Sequence, residues 1–263
     1  MFKDLENKVV VVTGGASGIG RAICEAFGQA KAKVVINYRS ERHKEDLEEM
    51  KALISEAGGE SIAVQGDVSK EEDVIHLVEE AVKTFGTLDI MINNAGYEKP
   101  VPSEEMTVEE FSKAIDINLT GAFVGSREAV KYFRKEDKPG VIINTASVHD
   151  TIPWPNYVNY AASKGGLKLM METMSMEYAQ FGVRINNISP GAIVTKHTEE
   201  KFSDPKTRAE TLEMIPAREL GKSEDVSNVA MFLASDLANY VHGTTIYVDG
   251  GMTNYPAFMG GKG

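Results

Sequence analysis

The chain has 263 residues, 42% of them hydrophobic, enough for one large core, and an open α/β sheet of this size routinely stays a single domain. A net charge of −11 argues against nucleic acid or an anionic membrane as the main partner, because phosphates there are met by clustered Lys and Arg. The single Cys24 rules out an internal disulfide, the charged stretch Met1–Lys8 is no signal peptide, and no apolar run spans a bilayer, so the expectation is a soluble, cytoplasmic protein.

Short β-branched runs alternate with amphipathic stretches almost throughout. The first strand, Val9–Val12, runs into Thr13-Gly-Gly-Ala-Ser-Gly-Ile-Gly20 and a helix over 18–29. Such glycines permit a tight strand-to-helix turn and let the backbone approach a pyrophosphate at a helix N-terminus. Gly14, Ser17, Gly18, Ile19 and Gly20 are therefore candidate dinucleotide contacts. Cys24, with no basic neighbour in sequence, reads as a small packed residue and not as a nucleophile. The second strand, Lys33–Asn37, ends in Asn37-Tyr38-Arg39-Ser40, with no carboxylate until Glu41. A NAD-selective site presents Asp or Glu there; Arg39 can instead pair with a 2′-phosphate, stack on adenine, or simply sit exposed. The expected cofactor is NADP, with NAD also admitted.

A helix near 43–57 and a strand over Ser61–Gln65 follow, then Asp67-Val68 and a helix near 70–85. The fourth strand, Asp89–Ile92, precedes Asn93-Asn94-Ala95-Gly96. Ligands of open α/β sheets bind at such C-terminal strand ends, so Asp67, Val68, Asn94, Ala95 and Gly96 are cofactor candidates. Each reads equally well as a turn or helix cap. One helical pattern covers 107–134. The fifth strand, Val141–Thr145, leads to Ser147, and a helix near 157–181 carries Tyr160-Ala-Ala-Ser-Lys164.

Positions i and i+4 share a helical face, so Tyr160 and Lys164 can serve one reaction centre. A phenol ionising near neutrality needs a shift of ~3 units, about 4 kcal/mol. A cation ~5 Å away supplies about 3 kcal/mol at an effective dielectric of ~20, so Lys164 is expected to provide most of it. Gly165-Gly166 costs a helix ~1 kcal/mol per glycine, which predicts close packing at both. Met170, Met171, Met174 and Met176 suit either an adaptable packed surface or ordinary core.

The sixth strand, Val183–Ile188, precedes Pro190-Gly191. Residues 192–222 are polar and weakly periodic, which reads as a lid or as a surface excursion. A helix near 223–235 and a strand over Thr244–Val248 complete the pattern, and Met259–Gly263 reads as an unpacked end. Near-continuous apolar strands separated by helices predict one α/β domain over 1–263: a Rossmann-like, doubly wound parallel sheet of seven strands with helices on both faces.

The glycine motif, Asn93-Asn-Ala-Gly96, Asn118, Ser147, Tyr160-x-x-x-Lys164 and Pro190-Gly191, in this order, resemble the short-chain dehydrogenase/reductase superfamily over nearly the whole chain. Within it the chain is similar to bacterial glucose 1-dehydrogenases at Gly86-Thr-Leu-Asp89, Met91-Ile-Asn-Asn-Ala-Gly96, Ser147-Val-His149, Ile152-Pro-Trp-Pro155 and Asp249-Gly-Gly-Met-Thr253. The resemblance implies Tyr160 as acid/base, Lys164 as its partner and a holder of the nicotinamide ribose, and Ser147 as the group orienting the reacting oxygen. Asn118 would position a water beside the lysine. Pro190 and Gly191 would pass the nicotinamide, and Ile193 and Thr195 would contact its carboxamide.

Glu98 and His149 would face a sugar, or serve as a rim charge and a loop histidine. The implied reaction is NAD(P)-dependent oxidation of the anomeric hydroxyl of β-D-glucose to the lactone, with no metal needed. The implied assembly is a homotetramer that buries the 107–134 and 157–181 helices in one interface and Thr244–Met252 in another. Departures fall in the substrate region: Val194 stands where that group has an amide, Thr145-Ala146 where it has Met-Ser, and Asp150 where it has Glu. Another sugar, a polyol or a small ketone therefore stays open. A non-catalytic dinucleotide-binding regulator is the remote third reading, disfavoured by intact Ser147, Tyr160 and Lys164.

Overall fold

The structure, a computed structural model, describes residues 2–196 and 198–254. Seven parallel strands form the main sheet in the order β3-β2-β1-β4-β5-β6-β9: β1 Val9–Val12, β2 Lys33–Tyr38, β3 Glu60–Gln65, β4 Ile90–Asn93, β5 Gly140–Thr145, β6 Val183–Pro190 and β9 Thr245–Val248. The order reverses between β1 and β4, and that switch point opens the crevice in which such sheets take a ligand. The expected fold is thus the observed one.

Alternation along each strand sends side chains to two helical layers. Val10, Val12, Val34, Ile36, Ile92 and Ile143 pack with Ile23 and Phe27 of α1 (Gly18–Gln29), Met50 and Ile54 of α2 (Lys44–Glu56), and Val226 and Leu233 of α9 (Ser223–Ala234). Val9, Val11, Val35, Met91, Ile142 and Ile185 face the other layer. There they meet Leu77 and Ala81 of α3 (Glu71–Phe85), Val130 and Phe133 of α5 (Gly121–Lys135), and Met171 and Met174 of α6 (Val158–Tyr178). Each layer closes one face of the sheet, and polar strand ends remain along the crevice.

Three expectations are refined. The single helix over 107–134 is in fact α4 (Val108–Ile115), a π-helical turn over Asp116–Thr120, and α5. Thr107 starts α4 with a capping box, accepting from Glu110 N at 3.2 Å. Residues 192–222 are structured: β7 (Ile193–Val194) pairs with β8 (Gly221–Lys222) and brackets α7 (Glu199–Ser203) and α8 (Pro205–Glu213). The methionine stripe splits, with Met171 and Met174 in the core and Met176 83% exposed. Met259–Gly263 lies outside the described residues.

Candidate active site

The glycine loop is shaped by contacts that a side chain would break. Gly14 and Gly18 have φ of +62° and +54°, the left-handed region that favours glycine. A Cβ on Gly20 would run into the Gly14 carbonyl oxygen and lie 2.5 Å from Asn94 Nδ2. Asn37 Oδ1 accepts from Gly14 N at 3.1 Å, and the Asn37 carbonyl accepts from Gly15 N at 2.8 Å. Thr13 Oγ1 accepts from Asn94 N at 2.9 Å and Ala95 N at 3.0 Å, while Asn94 Nδ2 donates to the Thr13 carbonyl at 3.1 Å. The β1 and β4 loops are thereby locked together across the switch point.

This cradle fits a dinucleotide. Ser17, the N-cap of α1, makes no side-chain bond to the helix, and the first turn holds no acidic residue. The first N–H groups of a twelve-residue helix therefore face the crevice unspent, as an anion site requires. Thr195 closes the opposite side, its Cγ2 3.5 Å from where a Gly18 Cβ would stand. At the adenosine end, Arg39, Gln65, Gly66, Asp67, Lys70 and Asp73 line an open recess. Asp67 is committed to a turn: its Oδ1 accepts from Ser69 N at 3.0 Å and Ser69 Oγ at 2.7 Å. Burial opposes its ionisation, yet those two bonds and the charges of Arg39 and Lys70 hold its carboxyl below the usual range. Val68 backs onto α5, its carbonyl packed against Gly121. Gly96 has room for a Cβ, the nearest atom being Asn118 Oδ1 at 3.7 Å.

Beyond the cradle, the ends of β5 and β6 meet α6. Lys164 is 3% exposed; its Nζ donates to the Thr145 carbonyl at 2.7 Å and sits 5.6 Å from the Tyr160 ring centre. Ser147 is 6% exposed, and its Oγ accepts from His149 N at 3.2 Å. The shared helical face of Tyr160 and Lys164 is present as the spacing predicts. The electrostatic balance is not. Burial pushes the Tyr160 phenol well above its ordinary value; the Ser147 hydroxyl works against that rise, and the Glu98 and Asp150 carboxylates add to it. The same burial pushes the Lys164 ammonium down to about 8, against the pull of those carboxylates. Desolvation is thus the largest influence on the phenol in the chain alone, and it disfavours the phenolate.

Asn118 lies in the π turn, 1% exposed. Its Oδ1 accepts from Tyr97 N at 2.7 Å, and its Nδ2 donates to the Tyr97 carbonyl and to Ser163 Oγ, both at 2.9 Å. The side chain is thus a clamp between the β4 loop and α6, next to Lys164. Of the glycine pair, only Gly166 is closely packed, with Leu119 Cδ2 2.9 Å from where a Cβ would stand, while Gly165 faces open space. Gly191 donates to the Val248 carbonyl at 3.0 Å, so Pro190-Gly191 is pinned beside β9, and Ile193 is buried in β7.

A stack of aromatic rings, called the wall below, stands beside this centre. His149 stacks on Trp154 at 4.2 Å and Trp154 on Tyr157 at 3.6 Å; His149 and Trp154 each meet the Tyr160 ring edge-on at 6.2 Å. Lys201 of α7 places its Nζ 5.7 Å from the Trp154 ring, a cation–π contact between the 192–222 segment and the wall. His149 Nδ1 lies 3.0 Å from the Ile152 carbonyl. Burial lowers its pKa, so the neutral ring donates there and leaves Nε2 free to accept.

Residues 14–253 match the family model described as Enoyl-(Acyl carrier protein) reductase. The chain belongs to the short-chain dehydrogenase/reductase superfamily. It is 49% identical, over all of both chains, to 3beta-hydroxysteroid dehydrogenase 1 of Eggerthella lenta. It is 42% identical to Glucose 1-dehydrogenase 2 of Bacillus subtilis, across 98% of this chain and 99% of that one. Among solved structures, levodione reductase superposes with a TM-score of 0.88 at 35% identity, covering 95% of this chain and 99% of the other. A candidate NAD(P) dependent gluconate 5-dehydrogenase from Beutenbergia cavernae, with NADP bound at low occupancy, superposes at 0.87 with 33% identity, covering 95% and 98%.

A short-chain dehydrogenase/reductase is an oxidoreductase that takes a nicotinamide dinucleotide, and no helix among the described residues is long and apolar enough to cross a membrane. The tertiary structure gives parts to residues to which the motifs assigned none. Thr13 and Asn37 hold the glycine loop, Trp154 and Tyr157 build the wall, and Lys201 reaches it from α7. Trp154 carried a signal only as part of Ile152-Pro-Trp-Pro155, the stretch similar to glucose 1-dehydrogenases. Thr13 opens the glycine motif and Asn37 ends the second strand, but nothing local foretells the bonds they make.

Proposed function

We propose that this chain is an NAD(P)-dependent dehydrogenase interconverting a secondary alcohol and a ketone on a flat, largely apolar ring system of the hydroxysteroid kind. The 49% identity, over the whole of both chains, to a 3beta-hydroxysteroid dehydrogenase carries the reading. The His149–Trp154–Tyr157 stack beside Tyr160 presents apolar ring edges that suit a fused ring system. Val194 in place of an amide supports it.

In this mechanism Ser147 and Tyr160 hold the reacting oxygen, and ionised Tyr160 takes the hydroxyl proton during oxidation. A bound nicotinamide supplies the hydride acceptor, or the donor in reverse, and its oxidised form brings a positive charge that favours the phenolate. Lys164, tethered to the Thr145 carbonyl, adds charge below the phenol and a donor for the cofactor ribose. Asn118 keeps the Tyr97 loop and α6 in register beside Lys164. The α7–α8 segment closes over the wall through Lys201.

The second reading is a sugar dehydrogenase acting at the anomeric hydroxyl. Glu98 favours it: its exposed carboxylate overlooks Tyr160, Lys164, His149 and Tyr157, and polyol sites need such acceptors. Relatives at 42% and 39% identity are glucose 1-dehydrogenases. The deciding experiment follows reduced-nicotinamide absorbance with 3β-hydroxysteroids and with β-D-glucose, each with NAD and with NADP. Steroid turnover well above glucose supports the first reading, the reverse order installs the second, and silence on both rejects the pair.

Assembly belongs to the same proposal. α6 exposes Val158, Leu169 and Met176 along one side, with Gly165 open between them and Phe123 of α5 alongside. A homotetramer built on this face is the expected state, and light scattering that finds only monomer rejects it.

A further inference from the structure

Asp150 lies three residues after Ser147, in the 3-10 turn Val148–Asp150, and other elements use both of its carboxylate oxygens. Oδ2 accepts from Ser189 Oγ at 2.6 Å; Ser189 is fully buried on β6, directly before Pro190-Gly191. Oδ1 accepts from the Tyr247 hydroxyl of β9 at 2.8 Å and from Thr151 Oγ1 at 2.9 Å. Lys168, one helical turn beyond Lys164, completes the cluster by donating to Tyr247 OH at 3.2 Å and Thr151 Oγ1 at 3.1 Å. The turn itself closes through Asp150 N to the Ser147 carbonyl at 2.9 Å. One carboxylate thus ties the loop after β5 to β6, to β9 and, through Lys168, to α6.

Bonds to an ionised acceptor are the short, strong kind. Removing the acceptor would leave the buried Ser189 hydroxyl unpartnered, which a packed site tolerates poorly. No other contact among the described residues links this turn to both β6 and β9 by side-chain hydrogen bonds. We propose that Asp150 is a positioning residue for the redox site, locking the turn that presents Ser147 against the strand end that carries Pro190-Gly191. The inference rests on Ser147 and Tyr160 acting as proposed above, and not on which alcohol is oxidised.

The carboxylate also belongs to the charge environment of Tyr160. Glu98 from the β4 loop is the other carboxylate acting on the phenol, and Lys168 of α6 and Tyr247 of β9 face Asp150 itself. Asp150 disfavours the phenolate, so removing its charge while keeping its shape moves the acid limb of oxidation to lower pH.

The test compares Asp150→Ala, Asp150→Asn and Asp150→Glu with the parent, using the alcohol the parent oxidises fastest. Amide hydrogen exchange across residues 146–152 serves as a readout that needs no substrate. Expected are a kcat loss of at least about tenfold for Asp150→Ala with faster exchange in that segment, and substantial rescue by Asp150→Glu. Asp150→Asn, which turns one of the two acceptor oxygens into a donor, is expected to exchange at a rate between those of the parent and Asp150→Ala and to shift the acid limb down by about half a pH unit. Parent-like kcat and exchange in Asp150→Ala overturn the proposal, as does an Asp150→Glu variant that recovers neither. If Asp150→Ala does not fold, the asparagine and glutamate variants decide. A parent that turns over no alcohol rejects the functional reading alone, since exchange still reports on the anchor.

Discussion

Gly20→Ala puts the cradle geometry to a direct test. The added methyl falls against the Gly14 carbonyl oxygen and 2.5 Å from Asn94 Nδ2, so either the glycine loop or Asn94 must move. Overpacking of this kind costs about 1–3 kcal/mol. Alanine in place of glycine returns up to ~1 kcal/mol of helix propensity, less here because Gly20 is only the third residue of α1. A net loss of about 1–2 kcal/mol corresponds to a fall in Tm of a few degrees, at ~2–4 °C per kcal/mol.

Binding suffers more than stability. Displacing Asn94 strains its bonds to Thr13 and Thr145 and tilts the N–H groups meant for phosphate. One lost bond of ~1.4 kcal/mol is already tenfold in affinity. Titration of reduced-nicotinamide fluorescence should therefore show dinucleotide affinity weakened at least about tenfold, alongside a modest drop in melting temperature. A Kd within about twofold of the parent and an unchanged Tm would show that the loop does not approach Asn94 and the cofactor as described.

Tyr160→Phe should lower kcat by about 10²–10⁴, the usual span of general acid–base catalysis, while fluorescence titration shows cofactor binding unchanged. Arg39→Ala should raise KM for NADP by about tenfold, a charged hydrogen bond's worth, and leave NAD nearly untouched; equal effects on both would deny a 2′-phosphate contact. Lys164 links stability to pH. Its folded value of about 8 lies below the ordinary 10.5, so between those limits the unfolded chain binds more protons and stability rises with pH. Denaturant midpoints should rise across that window in the parent, and Lys164→Met should abolish the slope. A parent with a flat profile would mean that the ammonium is not desolvated.

Local sequence was sufficient wherever period and spacing carry the information. Near-continuous valine and isoleucine runs separated by amphipathic segments imply a parallel sheet covered on both faces, because only burial on both sides tolerates such strands. The i, i+4 spacing puts Tyr160 and Lys164 on one face of any helix, and the glycines before α1 mark the phosphate turn without reference to the rest of the chain. Burial decided the remainder. Whether Lys164 lowers the Tyr160 phenol depends on how much water each loses, which is a property of the packed site and not of their separation. The π turn at Asn118, the wall formed by Trp154 and Tyr157, and the convergence of Ser189, Tyr247 and Lys168 on Asp150 all depend on how separate elements pack. No local pattern encodes such meetings; they follow from the order in which the seven strands lie side by side.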